Sequence, residues 1–342
     1  MDEKLQHLAI HKVGNKGNND LLFLTKKSVT LNHDMQLLLT DYFLNAFSSE
    51  EYYQFQHDSD LALNEVFNYA TQIFDNPKVF QEVSIHIAQH LYNQSLHPKI
   101  KSGEFYVVYF KDCFTDGQIV DAIGLYKSEN KDTFLEIEQT DEGFDIDSKQ
   151  GVNINKIDKG CLIYNLIKED GYKVAIVDNI NKSLEAQYWK DDFLNVLVVN
   201  NHYHQTNQFL TLTKQFVTKQ LEEDFEISKA DKIDLLNRSV DYFKKHEQFD
   251  KQEFEEEVFH HDNIIQSFRQ FDQSFKNEFD IEIEDNFFIS EQAVKKQARV
   301  FKSVIKLDKN FHIYIHGNRE MIEQGVDENG RKFYKIYYDS ES

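Results

Sequence analysis

Residues 105–178 read FYVVYFKDCFTDGQIVDAIGLYKSENKDTFLEIEQTDEGFDIDSKQGVNINKIDKGCLIYNLIKEDGYKVAIVD, a series of short β-type runs separated by turn residues. The pairs Asp116-Gly117, Glu129-Asn130 and Glu142-Gly143 divide this stretch into aromatic and β-branched segments. No segment of helix length lies between the runs. Since parallel strands need crossovers of about a dozen residues or more, the stretch predicts an antiparallel meander over about residues 105–178.

The residues that precede this stretch predict elements that would pack against the sheet. Residues 8–13 and 21–24 flank a Gly/Asn-rich turn and predict an opening hairpin at the sheet edge. Apolar residues at helical spacing predict three helices that would cover one face of the sheet, over residues 34–47, 60–74 and 77–95. The predicted fold class is therefore α+β, an antiparallel sheet packed with helices.

The C-terminal part has a different composition, which suggests a second domain. Residues 221–291 contain 21 Asp and Glu against 8 Lys and Arg, a local net charge of −13 in a chain whose formal net charge is −21. Amphipathic patterns predict helices there, and short runs after residue 300 predict β-hairpins. We expect an N-terminal α+β domain over residues 1–223 and a smaller helical domain over residues 224–342 that ends in β-hairpins.

The composition argues against several classes of protein. The net negative charge disfavours indiscriminate binding to nucleic acid or to anionic membranes, so any such contact must be local. The N-terminal residues lack an apolar signal segment and no run is long enough to span a membrane, which predicts a cytoplasmic protein.

Cys113 and Cys161 lie in apolar strands and are expected to be buried thiols. The acidic run Glu253–Glu257 is expected to form a solvated helix face.

No motif in the sequence indicates a catalytic or metal site. His86 and His90 have the i, i+4 spacing of a helical metal pair, but HIAQH lacks both the metalloprotease glutamate and a third ligand. The sequence contains no GxGxxG, GxxxxGK[ST] or GxSxG motif. Paired carboxylates such as those of Asp145 and Asp147 could hold Mg²⁺ in a nuclease, which is a distant alternative. In a chain with 59 acidic residues, however, such pairs are expected by chance. We therefore expect a protein that is not an enzyme and that holds no metal or cofactor.

One basic region lies near the C-terminus of this acidic chain. Residues 299–338 contain 8 Lys and Arg against 5 Asp and Glu, a local net charge of +3. Alternation along the predicted strand places His312 and Tyr314 together on one face. Such a face would offer phosphate contacts and base stacking, and the alternative is a polar face that only offsets the acidic residues nearby. The candidate nucleic-acid-binding residues are Lys302, Lys306, Tyr314, Arg319, Arg331, Lys332 and Lys335.

Three parts of the chain carry a resemblance to a known family. They are LAIHKVGNK from residue 8, GVNINKIDKGCLIYNL from residue 151, and AQYWKDDFL followed by HQTNQFLTLTKQFV between residues 186 and 217. In this order they resemble the strand and helix patterns of the bacterial 37-kDa nucleoid-associated protein family, of the NdpA or YejK type. The C-terminal HIYIHGNREMIEQGVDENGRKFYKIYY is similar in position to the closing strands of that family.

The resemblance implies a nucleoid protein of the bacterial cytoplasm that binds DNA directly or through partners such as topoisomerases. It brings no catalytic residues with it. A protein that coats DNA would need less negative charge than this chain has. Recruitment of this chain by another nucleoid protein is therefore an alternative to direct DNA binding. The alternative hypothesis is an acidic protein-interaction adaptor without nucleic-acid affinity. A homo-oligomer is compatible with the sequence under either hypothesis.

Overall fold

The chain folds into two compact units, residues 1–199 and residues 200–342, in a computed structural model. The structure describes residues 4–180, 188–279, 281–301, 304–314 and 321–340. It is mixed, with 41% of the residues in helices and 30% in strands. The predicted α+β class is confirmed.

An eight-stranded antiparallel sheet forms the centre of the first unit. Its spatial order is β10-β3-β9-β8-β5-β4-β1-β2, and β6 and β7 pair only with each other. The opening hairpin β1–β2 lies at the sheet edge, as predicted. The strands are β1 (Leu5–Val13), β2 (Leu22–Phe23), β3 (Tyr52–Phe55), β4 (Gly103–Thr115), β5 (Gln118–Ser128), β6 (Asp132–Thr140), β7 (Gly143–Gly151), β8 (Lys159–Tyr164), β9 (Lys173–Asp178) and β10 (Val196–Val198).

The longest strand pair, β4–β5, turns at a two-residue loop. Asp116 and Gly117 both have positive φ, +48° and +73°, which is the conformation of the tight hairpin turns that match the twist of antiparallel strands. Asp-Gly is a favoured pair at such turns because both residues tolerate that conformation. The sequence signal at this position therefore specifies the register of the central hairpin.

The predicted meander is wrong in one respect. β5 pairs directly with β8, with Lys127 opposite Lys159, so the chain between them leaves the sheet. That inserted segment is the β6–β7 ribbon, which is paired along its full length from Asp132 opposite Gly151 to Thr140 opposite Gly143. Its alternating pattern is the same as that of a strand with one buried face, so the pattern alone does not reveal that the ribbon stands apart.

Three helices pack on the sheet of the first unit, α1 (His33–Leu44), α2 (Glu65–Asp75) and α3 (Phe80–Gln94). Alternate side chains of β4 enter two cores: Phe105 and Val107 pack with α2 and α3, whereas Val108 and Phe110 pack with Phe43 of α1. The helices therefore cover both faces of the sheet, and the prediction that they would cover one face is wrong.

The second unit has a helical core followed by two hairpins. Aromatic residues dominate that core, where Phe209, Phe254 and Phe268 are buried together. Its helices are α4 (His202–Gln215), α5 (Leu221–Asp224), α6 (Lys229–Lys245), α7 (Lys251–Phe259), α8 (Asp262–Phe279) and α9 (Glu291–Ala298), with a π-helical turn, Phe216–Gln220, between α4 and α5. Its strands are β11 (Gln248–Asp250), β12 (Asn286–Phe288), β13 (Val304–Leu307), β14 (Phe311–Tyr314), β15 (Ile322–Val326) and β16 (Lys332–Ile336).

The division between the units falls earlier in the chain than the predicted boundary after residue 223. α4 lies on the C-terminal side of the division, and Phe209, Leu212 and Phe216 are buried in the core of the second unit. The change in composition marks where acidic residues become frequent. It does not mark where the second core begins.

Candidate nucleic-acid interface

A small apolar core holds both C-terminal hairpins against the start of α6. Ile305 of β13 and Ile322 of β15 are buried with Ala230 and Ile233 of α6. Ser228 fixes this end of the helix, because its side chain accepts a hydrogen bond from the backbone N–H of Asp231 while the Asp231 carboxylate accepts one from the backbone of Ser228. A capped helix end thus supports the predicted interface.

The hairpin β13–β14 brings two of the predicted residues onto one exposed face. Lys306 pairs with His312, and Val304 pairs with Tyr314, in the antiparallel register. Since side chains alternate along a strand, Lys306, His312 and Tyr314 share the face opposite the buried Ile305. This face combines a cation with two ring systems, which is the residue chemistry of phosphate contact and base stacking.

The hairpin β15–β16 separates two predicted lysines. Glu323 pairs with Lys335 and Val326 with Lys332, which places the two lysines on opposite faces. The Lys335 ammonium lies 3.7 Å from a Glu323 carboxylate oxygen and 4.7 Å from the centre of the Tyr337 ring. Its charge is therefore partly balanced within the hairpin itself.

Arg331 is also paired, and two predicted residues lie outside the described part of the chain. The Arg331 Nε donates to Asp327 Oδ2 at 2.9 Å, and its backbone N–H donates to Oδ1 at 2.8 Å. Hydrogen bonds from Arg331 and Asn329 hold the pKa of Asp327 below its usual value. Lys302 and Arg319 belong to the segments that the structure does not describe. Among the four predicted cations that it does describe, Lys306 and Lys332 have no ion-pair partner among the carboxylates of the described residues.

A groove in the second unit is a further basic feature, which the sequence analysis missed. It has a volume of about 950 Å³ and lies between the end of α6, strand β12 and helix α9. In the sequence its cations fall in two separate places, Lys244-Lys245 at the end of α6 and Lys295 and Arg299 in and directly after α9, so no local pattern joins them. Apolar side chains line it, namely Phe243, Phe288, Ile289, Val294 and Ala298, together with the cations of Lys244, Lys245, Lys295 and Arg299.

The acidic run Glu253–Glu257 is only partly a solvated helix face. Glu255 is buried, and its carboxylate accepts hydrogen bonds from Arg269 at 2.7 and 2.8 Å. Glu253 accepts from the Tyr242 hydroxyl at 2.9 Å. Part of the acidic excess therefore stabilises the second unit and is not available to a partner.

No metal centre is formed by the residues that the structure describes, where no group of three or more His, Cys, Asp or Glu side chains is placed to hold an ion. The ring of His90 is buried, and its Nε2 lies 3.0 Å from the Phe193 carbonyl oxygen. His86 lies edge-on to the Tyr69 ring. The i, i+4 pair thus has structural contacts.

The first unit contains buried charges that sequence patterns did not reveal. Lys127 and Lys159 are fully buried in neighbouring strands, and their ammonium groups lie 5.7 and 5.2 Å from the centre of the Tyr188 ring. Lys127 lies 3.2 Å from Glu129 and Lys159 lies 2.5 Å from Asp178. Desolvation lowers the pKa of Lys127, although Glu129 opposes this effect. Each cation is matched by an anion, so these buried charges are compensated within the first unit.

Comparison with known proteins identifies a family for this chain. The family model for nucleoid-associated protein YejK matches residues 9–339 of this 342-residue chain. No curated protein matches the sequence. Within the described residues, no helix is both long and apolar enough to cross a bilayer. Because the family match extends through both units, the chain belongs to the nucleoid-associated protein YejK family.

Proposed function

We propose that this protein is a non-enzymatic component of the nucleoid in the cytoplasm, and that its C-terminal hairpins contact DNA or a DNA-bound partner such as a topoisomerase. The family match supports the nucleoid context. The single observation that favours the hairpins is the exposed face on which Lys306, His312 and Tyr314 lie together.

The charge distribution limits the kind of DNA contact that this surface makes. A chain with a net charge of −21 repels a polyanion at long range, so binding must depend on a few cations whose charge is not balanced nearby. Lys306 and Lys332 meet that condition among the described residues, and Arg331 and Lys335 are paired with Asp327 and Glu323. We therefore expect weak, salt-sensitive binding.

The test is a titration of a fluorescent DNA duplex at several salt concentrations. The variant Lys306→Gln/Lys332→Gln removes the two cations that have no carboxylate partner among the described residues. Arg331→Gln/Lys335→Gln is the matched control because it removes the same total charge. Each lost phosphate contact reduces the slope of log affinity against log salt by about 0.9. The first variant should lose close to two such contacts and bind at least tenfold more weakly, whereas the control should keep most of the slope.

Two results would contradict direct contact through these residues. If wild-type protein shows no binding at low salt, the adaptor hypothesis is favoured, in which the acidic surface recruits a protein partner. If the two variants lose affinity equally, the effect is one of total charge and the proposed surface is not the site. Mg²⁺-dependent cleavage of the duplex in the same titration would instead reveal a nuclease.

A further inference from the structure

One face of the hairpin β15–β16 exposes two aromatic rings. Phe333 lies opposite Gly325 and Lys335 lies opposite Glu323 in the register, so these four residues share that face. Tyr337 continues it, because its backbone N–H donates at 2.8 Å to the carbonyl of the residue before β15 and so extends the strand pairing. We call Phe333, Lys335 and Tyr337 the aromatic face of this hairpin.

The other face of the hairpin attaches it to the second unit. Ile322 is buried, and Tyr334 packs against the small core that Ile322 forms with Ala230 and Ile233 of α6. Because side chains alternate along a strand, this attachment directs the aromatic face towards solvent.

Phe333 lies across the hairpin, over the glycine that is opposite it. A Cβ atom added at Gly325 would lie 2.6 Å from Phe333 Cζ and 2.9 Å from Cε1, so the ring occupies the space that a side chain would need. An aromatic residue that covers a strand glycine in this way fixes the position of both. The ring is 43% exposed, so it is covered on the side of the glycine and open on the other side.

Tyr337 is held by two neighbours on the same face. Its hydroxyl donates to Glu323 Oε1 at 2.8 Å, and the Lys335 ammonium lies 4.7 Å from the centre of its ring. The ring is nevertheless 40% exposed. Both rings are therefore held in position without a ligand, which lowers the entropy cost of binding one.

The size of the aromatic face decides which kind of ligand it fits. Five residues of a strand span about 17 Å and two strands about 10 Å, which gives an area of roughly 170 Å². A specific protein complex buries about 800 Å² on each partner, which is several times more. The aromatic residues on the sheet of an RNA-recognition motif, in contrast, stack only two or three bases. Two rings on one face thus match two unpaired bases.

We propose that the aromatic face binds the unpaired bases of single-stranded DNA, which stack on Phe333 and Tyr337. This site rests on the proposed function for its DNA context and adds a second face and a second form of DNA to it. In a duplex the base faces are covered by their neighbours, so these rings reach them only where the strands are separated.

The charges around the aromatic face are compatible with this ligand. Residues 299–338 have a local net charge of +3, so the phosphates approach a basic part of an acidic chain. On the face itself Lys335 lies 3.7 Å from Glu323, which partly balances its charge. Stacking therefore supplies most of the binding, and the affinity depends less on salt than a phosphate contact does.

Fluorescence anisotropy of the full chain with an unpaired oligonucleotide tests this inference. The probe is a dye-labelled thymidine oligonucleotide of about 12 nucleotides, and the matched probe has the same sugar–phosphate backbone without bases. Wild-type protein should bind the first probe at least tenfold more tightly. The variant Phe333→Ala/Tyr337→Ala should remove most of that difference and leave the salt slope unchanged, because no phosphate contact is lost.

Two further variants separate stacking from folding and from a general loss of exposed rings. Phe333→Tyr/Tyr337→Phe exchanges the two rings and should keep the affinity for the oligonucleotide. Phe23→Ala/Phe114→Ala removes two exposed rings of the first unit and should bind as wild type does. Loss of affinity in either variant equal to that of the alanine variant would contradict stacking on the aromatic face.

The duplex titration makes failure of this inference distinguishable from failure of the proposed function. An alanine variant that loses the oligonucleotide but keeps the duplex identifies a separate site. Binding of the oligonucleotide through the rings without any duplex binding would support this site and contradict the duplex contact. Equal binding of the two probes by wild-type protein, or no binding of either, would overturn the inference and favour a protein partner for the rings. Tighter binding of a uridine RNA oligonucleotide would overturn the assignment to DNA.

Discussion

At the scale of single residues, the side chain of His11 shows how burial determines protonation. Its Nδ1 accepts a hydrogen bond from the backbone N–H of Thr25 at 3.1 Å, and its Nε2 lies 3.1 Å from Ser84 Oγ. Because Ser84 Oγ donates to the Gln81 carbonyl, the ring proton is on Nε2 and donates to Ser84. The imidazole is therefore neutral, and burial lowers its pKa from 6.5 to about 4.

This shift predicts a loss of stability in mild acid. Between pH 6.5 and pH 4 the unfolded chain binds a proton at His11 that the folded chain does not, so the stabilisation is complete above pH 6.5 and falls as the pH decreases. The free energy of unfolding should decrease by about 2 kcal/mol from pH 7 to pH 5 through this group alone. Urea unfolding at both pH values should show that decrease in wild type but not in His11→Gln. Equal decreases in the two proteins would contradict the assignment.

At the scale of elements, the Asp116-Gly117 turn predicts the effect of Gly117→Ala on stability. Gly143→Ala, in another turn, is the control. An added Cβ at Gly117 meets no atom within 4 Å, so the effect of Gly117→Ala comes from the positive φ alone. It should destabilise the first unit by about 1 kcal/mol. Gly143, in the ribbon turn, is equally open but does not have positive φ, so Gly143→Ala should be neutral or slightly stabilising. Thermal unfolding of both variants measures the difference, and similar shifts would show that the turn is not under this constraint.

The sequence predicted elements better than it predicted their partners. The Asp-Gly pair specified the β4–β5 hairpin because that turn needs positive φ at both residues. The short strands β3 and β10 were not predicted, because three or four residues contain too little periodicity. The excess of Lys and Arg over Asp and Glu in residues 299–338 identified the cations of the candidate interface. It did not reveal that Lys335 pairs with Glu323, because that pairing depends on the register of β15–β16. The groove joins residues that are 50 positions apart, so no local pattern reveals it.

At the scale of the whole molecule, the position of the division predicts which fragments fold. α4 contributes Phe209, Leu212 and Phe216 to the core of the second unit. A fragment of residues 200–342 should unfold cooperatively, whereas residues 224–342 lack these side chains and should remain loosely packed. Near-ultraviolet circular dichroism and urea unfolding compare the two fragments. Cooperative unfolding of the shorter fragment would support the boundary after residue 223.

The two cysteines lie on opposite sides of the sheet of the first unit, so alkylation can probe the helical layer on each side separately. Cys161 lies in the core beneath α2 and α3, and Cys113 lies in the core beneath α1. Burial raises the pKa of Cys113 to about 11 and raises that of Cys161 further, so neither thiol is reactive while its layer is closed. Alkylation rates at the two positions therefore measure how often each side of the sheet opens. Unequal rates would show that one helical layer detaches while the other stays in place, and both probes are native side chains, so no mutation is needed.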